Sequence, residues 1–143
     1  MLGAEKEIVN TFVAAGQVKI VFWPMLDLGN NSVNAAAASA CAGEQSVEGY
    51  WRMHDLLFER QRDLFRADRD YFVETAVALS LDRDLFASCY DGGAAHAQVR
   101  QLDEARRAAN VFTRPTIDVA GERIFGAQSF AVFERAIRNA LGE

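Results

Sequence analysis

Cysteine is scarce in this sequence. Cys41 and Cys89 are the only two in 143 residues, and they lie far apart. No C-x-x-C is present, so neither a redox dithiol nor a zinc knuckle can be read from spacing. Proline is limited to Pro24 and Pro115, and histidine to His54 and His96. Two isolated histidines make no metal cluster, and no cofactor motif is apparent. No apolar run reaches the ~18–20 residues that a membrane-crossing helix needs. The stretch Met1–Asn10 carries Glu5, Lys6 and Glu7 and is no signal peptide, so at face value the chain is cytoplasmic. Basic charge is not in excess either. The formal net charge is −5, and Arg62, Arg66 and Arg69 are mixed among Asp63, Asp68 and Asp70, which argues against a nucleic-acid surface.

What is present is ordinary globular material. Half the residues are hydrophobic and about a quarter are charged, which argues against disorder. One domain is the natural prior for this length. A domain of this size buries roughly 70% of the surface its unfolded chain exposes, enough to fold without staples.

The apolar spacing predicts a helix over Glu5–Ala15, stopped by Gly16. Val18–Trp23 reads as a strand from its β-branched and aromatic content, ended by Pro24. Asp27–Asn31 is a polar turn. A helix rich in alanine follows over Ser32–Cys41, then helices over Tyr50–Arg60 and Asp70–Leu79, the latter capped by Asp68 or Asp70. Asp82 caps a short helix ending near Tyr90, and a long helix covers Ala94–Asn110. Thr116–Ala120 and Arg123–Phe125 form a hairpin around Gly121, and Ser129 caps a last helix through Leu141. Pro115 stands at the first residue of a strand, where its missing N–H costs no interior ladder bond. X–Pro bonds are also the ones where a cis peptide is cheap.

Three segments together carry a family likeness. They are Gly16–Pro24; Ala40-Cys41-Ala42-Gly43-Glu44-Gln45 with Trp51–Phe58; and Arg114-Pro115-Thr116 with Gly121 and Gly126-Ala127. The ordered set resembles the DsbA-like branch of the thioredoxin superfamily, thiol–disulfide oxidoreductases in which a helical domain interrupts a thioredoxin fold. The implied fold is α/β: an incomplete thioredoxin-like fold with an all-helical insertion, a single domain in which 1–31 and 111–143 are the thioredoxin-like remnant and 32–110 the insertion. Family members begin with two strands, the second leading into a C-x-x-C at the start of a helix. This chain reads as truncated, beginning partway along that helix. The missing second strand belongs between Val18–Trp23 and Thr116–Ala120, in the middle of the sheet.

The resemblance implies that Pro115 is cis, with Arg114 and Thr116 completing the remnant of a loop that holds substrate peptide. The alternative is a trans proline that opens an edge strand. For Cys41 and Cys89 it implies a structural disulfide between two helices of the insertion. Two buried thiols and a reactive thiol are the other readings. His54, between Met53 and Leu56-Leu57 with Asp55 pointing elsewhere, reads as structural. Glu44, Glu48 and Glu59 form no carboxylate dyad. The aromatics Tyr50, Trp51, Phe58, Phe65, Tyr71 and Phe72 read as core, with a binding groove as the minority reading.

Three functions follow. One is a family member without dithiol redox activity as this chain, its enzymatic status open and no catalytic residue assigned. Another is a binding or assembly module that forms a homodimer or takes a partner strand through exposed sheet strands. The third is a fragment of an active disulfide oxidoreductase. The family acts on protein and peptide thiols, often outside the cytoplasm. No metal site, nucleic acid or membrane span is expected.

Overall fold

The computed structural model describes residues 3–143. They form two compact units: the residues up to Phe22 with Ala109–Glu143, and Trp23–Ala108.

The second unit is helical. It holds α2 (Asn30–Gln45), α3 (Val47–Glu59), a short 3-10 turn (Asp63–Phe65), α4 (Arg69–Ala78), α5 (Arg83–Gly92) and α6 (Ala94–Ala108). Its centre is α2, where Ala37, Ala38, Cys41 and Ala42 are buried. Their small side chains let neighbouring helices approach closely, and α2 packs against α3, α4, α5 and α6. Around that stripe lie Met53 and Leu57 from α3, Phe72, Val73 and Ala76 from α4, Phe86 and Tyr90 from α5, and Ala95 and Val99 from α6.

Three helix starts are fixed by side-chain caps. Ser46 accepts from the Gly49 N–H, Asp68 from the Tyr71 N–H and Asp82 from the Leu85 N–H, each at 2.9 Å. Each satisfies a first-turn donor that has no partner within its helix. The left-handed Gly93 (φ 76°) separates α5 from α6.

The first unit begins with α1 (Gly3–Ile8), which widens into a π-helical turn over Val9–Val13. The bonds from the Ala14 N–H to the Val9 carbonyl and from the Gln17 N–H to the Phe12 carbonyl span five residues. The expected single α-helix over Glu5–Ala15 is corrected accordingly, with Phe12 fully buried in the widened turn. The hairpin pairs β1 (Thr116–Val119) with β2 (Glu122–Phe125), Thr116 opposite Phe125 and Val119 opposite Glu122. Its turn residues Ala120 and Gly121 both have positive φ, 50° and 95°, and the Asp118 side chain accepts the Gly121 N–H at 2.8 Å. Such two-residue turns match the twist of paired strands. The last helix, α7 (Phe130–Leu141), brings Phe133, Ala136 and Ile137 onto Ile8, Phe12 and Ile124. Ser129 is extended before α7 but makes no side-chain cap, contrary to expectation.

Val18–Trp23 is not a ladder strand. It alternates as one, with Val18 and Ile20 packed on the core and Lys19 and Val21 exposed, but no described strand pairs with it. Branched and aromatic composition reports a half-buried pleated backbone, whereas pairing depends on a partner distant in sequence.

Gly49 shows how tightly α3 meets α2. A Cβ there would lie 2.8 Å from the Ala42 carbonyl oxygen, a backbone atom that cannot swing aside. Gly49→Ala is predicted to lower unfolding free energy in urea by roughly 1–3 kcal/mol, the usual cost of overpacking. Gly92, with open space around it, serves as the control: Gly92→Ala is predicted to be neutral or slightly stabilising.

Candidate functional site

In the first unit the chain enters β1 through Thr113-Arg114-Pro115-Thr116. The Arg114–Pro115 peptide is cis. The Pro115 carbonyl accepts the Gly126 N–H at 2.9 Å, and the Thr116 hydroxyl donates to the Thr113 carbonyl. The loop is thus tied to the end of β2 and to itself, with the Arg114 side chain exposed. The Arg123 guanidinium donates to the Ala109 carbonyl at 2.8 Å, which fixes the approach to the loop. Neither cysteine belongs to this unit.

The two cysteines meet in the helical unit. Cys41 on α2 and Cys89 on α5 are disulfide-bonded, with Cα atoms 5.7 Å apart. Cys41 is 1% exposed and Cys89 is half-buried. A second clamp lies nearby. The Gln45 amide donates to the Asp82 carbonyl at 3.0 Å and accepts the Asp82 N–H at 2.8 Å. A cleft of about 560 Å³ opens beside the disulfide, lined by Glu44, Gln45, Leu85 and Ser88. On the far end of α5, Asp91 takes two bonds from Arg69, at 2.7 and 2.6 Å. The Arg69 hydrogen bonds hold the Asp91 carboxyl below its usual range.

Sequence reasoning missed a buried polar knot on α6. Asp103 and Arg106 are 6% and 4% exposed. One Asp103 oxygen accepts the Leu26 N–H at 3.0 Å and two Arg106 donors at 2.9 and 2.6 Å, while the other accepts Arg107 at 2.9 Å. Burial alone pushes this carboxyl's pKa up. The Leu26 N–H and the two guanidiniums outweigh it and hold the pKa at about 2. The knot pins the chain before α2 onto α6. The Asp-x-x-Arg-Arg spacing on one helix was the available signal, since positions three and four apart face one another. A cleft of about 320 Å³ beside it mixes Arg100 and Arg107 with Glu104.

Other candidates disperse. His54 lies among Tyr50, Trp51 and Phe58, and Asp55 turns back to contact its Nδ1 at 3.1 Å rather than pointing away. Burial pushes the Tyr50 hydroxyl up to about 12. Phe72 is core while Phe65 is 71% exposed, so the aromatic residues do not line one groove. Glu48 approaches Arg52, Glu44 lines the disulfide cleft, and no group of three His, Cys, Asp or Glu among the described residues could hold a metal ion. No described helix is long and apolar enough to cross a membrane.

A mostly helical α/β chain with a small hairpin sheet, entered through a proline loop and closed by a helix, is of thioredoxin-like type. The thioredoxin family model matches residues 2–139, nearly the whole sequence, and the chain belongs to that family. Two curated relatives are Na(+)/H(+) antiporters. NhaA 3 of Salinispora tropica is 30% identical over 118 residues, 82% of this chain and 17% of the antiporter. NhaA 1 of Salinispora arenicola is 28% identical with the same coverage. This chain therefore matches only a small part of either relative. No solved structure matches.

Alongside Asp91, two groups in the helical unit shape the acid response. His96 has a buried Nδ1 without a hydrogen-bond partner and packs edge-on to Tyr90. Burial, then the Arg100 charge, lowers its pKa from the ordinary 6.5. The unfolded chain therefore takes up this proton first, and stability falls as pH drops below 6.5. Asp103 is depressed from 3.8 to about 2, so its contribution is complete above pH 3.8 and is lost as pH falls through about 2. Urea unfolding across this range should show both phases. His96→Leu is predicted to flatten the upper phase. Asp103→Asn should shrink the lower one, leaving the part that Asp91 contributes, and cost about 3–5 kcal/mol at neutral pH, the usual penalty for breaking a buried pair.

Proposed function

We propose that the chain is a DsbA-like thioredoxin-fold domain, with 32–110 as its helical insertion, and that as this chain it carries out no dithiol–disulfide exchange. The observation that carries this reading is the placement of its sulfur. All of it that can form disulfides is in the Cys41–Cys89 bond between α2 and α5. Exchange requires a thiolate that attacks a disulfide sulfur and a second thiol that resolves the mixed disulfide. A low thiol pKa comes from a helix N-terminus or a basic neighbour. Cys41 and Cys89 instead lie towards the C-terminal ends of their helices, where the dipole disfavours negative charge. On this reading Arg114, Pro115 and Thr116 are the remnant of a substrate loop and the disulfide is a staple. The antiporter relatives, of which the matched segment is 17%, support a setting as one module of a longer polypeptide.

A turbidity assay of insulin reduction by dithiothreitol tests this. The expected result is the uncatalysed rate. Acceleration that disappears in Cys41→Ala would overturn the reading. The staple itself is tested by Cys41→Ala/Cys89→Ala, predicted to lose about 2–4 kcal/mol of unfolding free energy.

A second reading, a binding or assembly module, is favoured by one observation. The Val18–Val21 segment, whose side chains alternate between half-buried and exposed, has no ladder partner among the described residues. Exposed edges of this kind accept strands from other chains.

A further inference from the structure

We infer that the Cys41–Cys89 bond is a modification site. A small thiol, cationic or neutral rather than anionic, opens it in the folded protein and is left joined to Cys89. The chain is then the target of exchange rather than its catalyst, and this holds whether or not it accelerates insulin reduction.

Access decides which sulfur reacts. Both cysteines border the cleft of about 560 Å³ between α2 and α5. They are not equally open: Cys41 is 1% exposed and packed in the core around α2, whereas Cys89 is half-buried. A thiolate attacks in line, from the side opposite the sulfur that leaves. Close packing at Cys41 leaves no room for that approach, and the cleft supplies it at Cys89.

The step balances without a further reagent. The thiolate forms a bond to the Cys89 sulfur and the Cys41–Cys89 bond breaks. Cys41 leaves with the electron pair and takes a proton from water. One disulfide replaces another, so no separate oxidant or reductant is consumed. The released Cys41 lies among apolar side chains, which disfavour a thiolate, so it is slow to attack back. Helix α5 keeps other attachments while the bond is open. Phe86 and Tyr90 remain buried on its inner face, and Gln45 holds both backbone polar groups of Asp82 at its start.

Charge selects the thiol. Glu44 is exposed, and beside the cysteines it is the ionisable residue lining the cleft, with Gln45, Leu85 and Ser88 completing the wall. Its carboxylate attracts an ammonium on the incoming molecule and repels a sulfonate or carboxylate. The formal net charge of −5 acts in the same direction at longer range. Leu85, 63% exposed, offers apolar contact to a short alkyl chain.

The experiment treats the folded protein with cysteamine, mercaptoethanol or mercaptoethanesulfonate at low ionic strength. Acid quenching and peptide mapping by mass spectrometry then locate the first adduct. The expected product carries its adduct on Cys89, keeps the circular dichroism of the folded protein, and forms at a rate that stays flat in urea below the unfolding transition. The ratio of cysteamine to mercaptoethanesulfonate rates should fall by roughly twofold or more in Glu44→Gln, and likewise in the unaltered protein at high salt. Intrinsic thiol reactivity cancels in that comparison. An adduct on Cys41, a rate that climbs with urea as global unfolding does, or no adduct under conditions that open a small-molecule disulfide would overturn the inference. An unchanged ratio in Glu44→Gln would overturn the selection by charge, and with it the class of thiol.

Discussion

Close packing around α2 is the constraint on which the helical unit depends. A helix can sit at the centre of four others only if its side chains leave room for their backbones, and the run from Ala35 to Ala42 consists wholly of alanine, serine and cysteine. The consequence reaches α3, where Gly49 lies against the Ala42 carbonyl. It reaches α5 too, because Cys41 is the one residue of the stripe that can bond covalently to a neighbour. Small side chains contribute little apolar area each. The large residues Phe72, Phe86 and Met53 therefore supply most of the burial from the surrounding helices.

The thioredoxin-like unit has the opposite problem. Its apolar core is well covered by α7 and the hairpin, yet the Val18–Val21 backbone finds no hydrogen-bond partner among the described residues. At an exposed surface, water supplies those hydrogen bonds, so the segment is tolerated. The same groups would be costly if buried without a protein partner. The segment is held by Val18 and Ile20 on the core rather than by a ladder. Side chains hold one face in place while the edge stays open.

Features encoded within a few residues were the legible ones. Asp68 and Asp82 announced α4 and α5 because a carboxylate three residues before an N–H donor is a local arrangement. Gly121 announced the hairpin because its turn requires positive φ. Helix spacing located all five helices of the helical unit to within a few residues. What was not legible is non-local. The tie from Asp103 to the Leu26 N–H joins residues 77 apart in sequence. The π-turn at Val9–Val13 shifts one hydrogen-bond register in a pattern that otherwise reads as α-helix. Strand propensity at Val18–Trp23 matched the alternation of half-buried and exposed side chains but not the pairing, since the segment joins no ladder among the described residues.

The proline loop and the disulfide belong to different units of the chain. On the proposed DsbA-like reading the Thr113–Thr116 loop would face reactive sulfur, yet the unit that carries the loop contains no cysteine. Its geometry is nonetheless specified, by the Gly126 N–H on one side and the Thr116 hydroxyl on the other. A loop can be held in shape by the hairpin it opens, independently of any reactive group. Arg114–Pro115–Thr116 is therefore evidence of fold before it is evidence of activity.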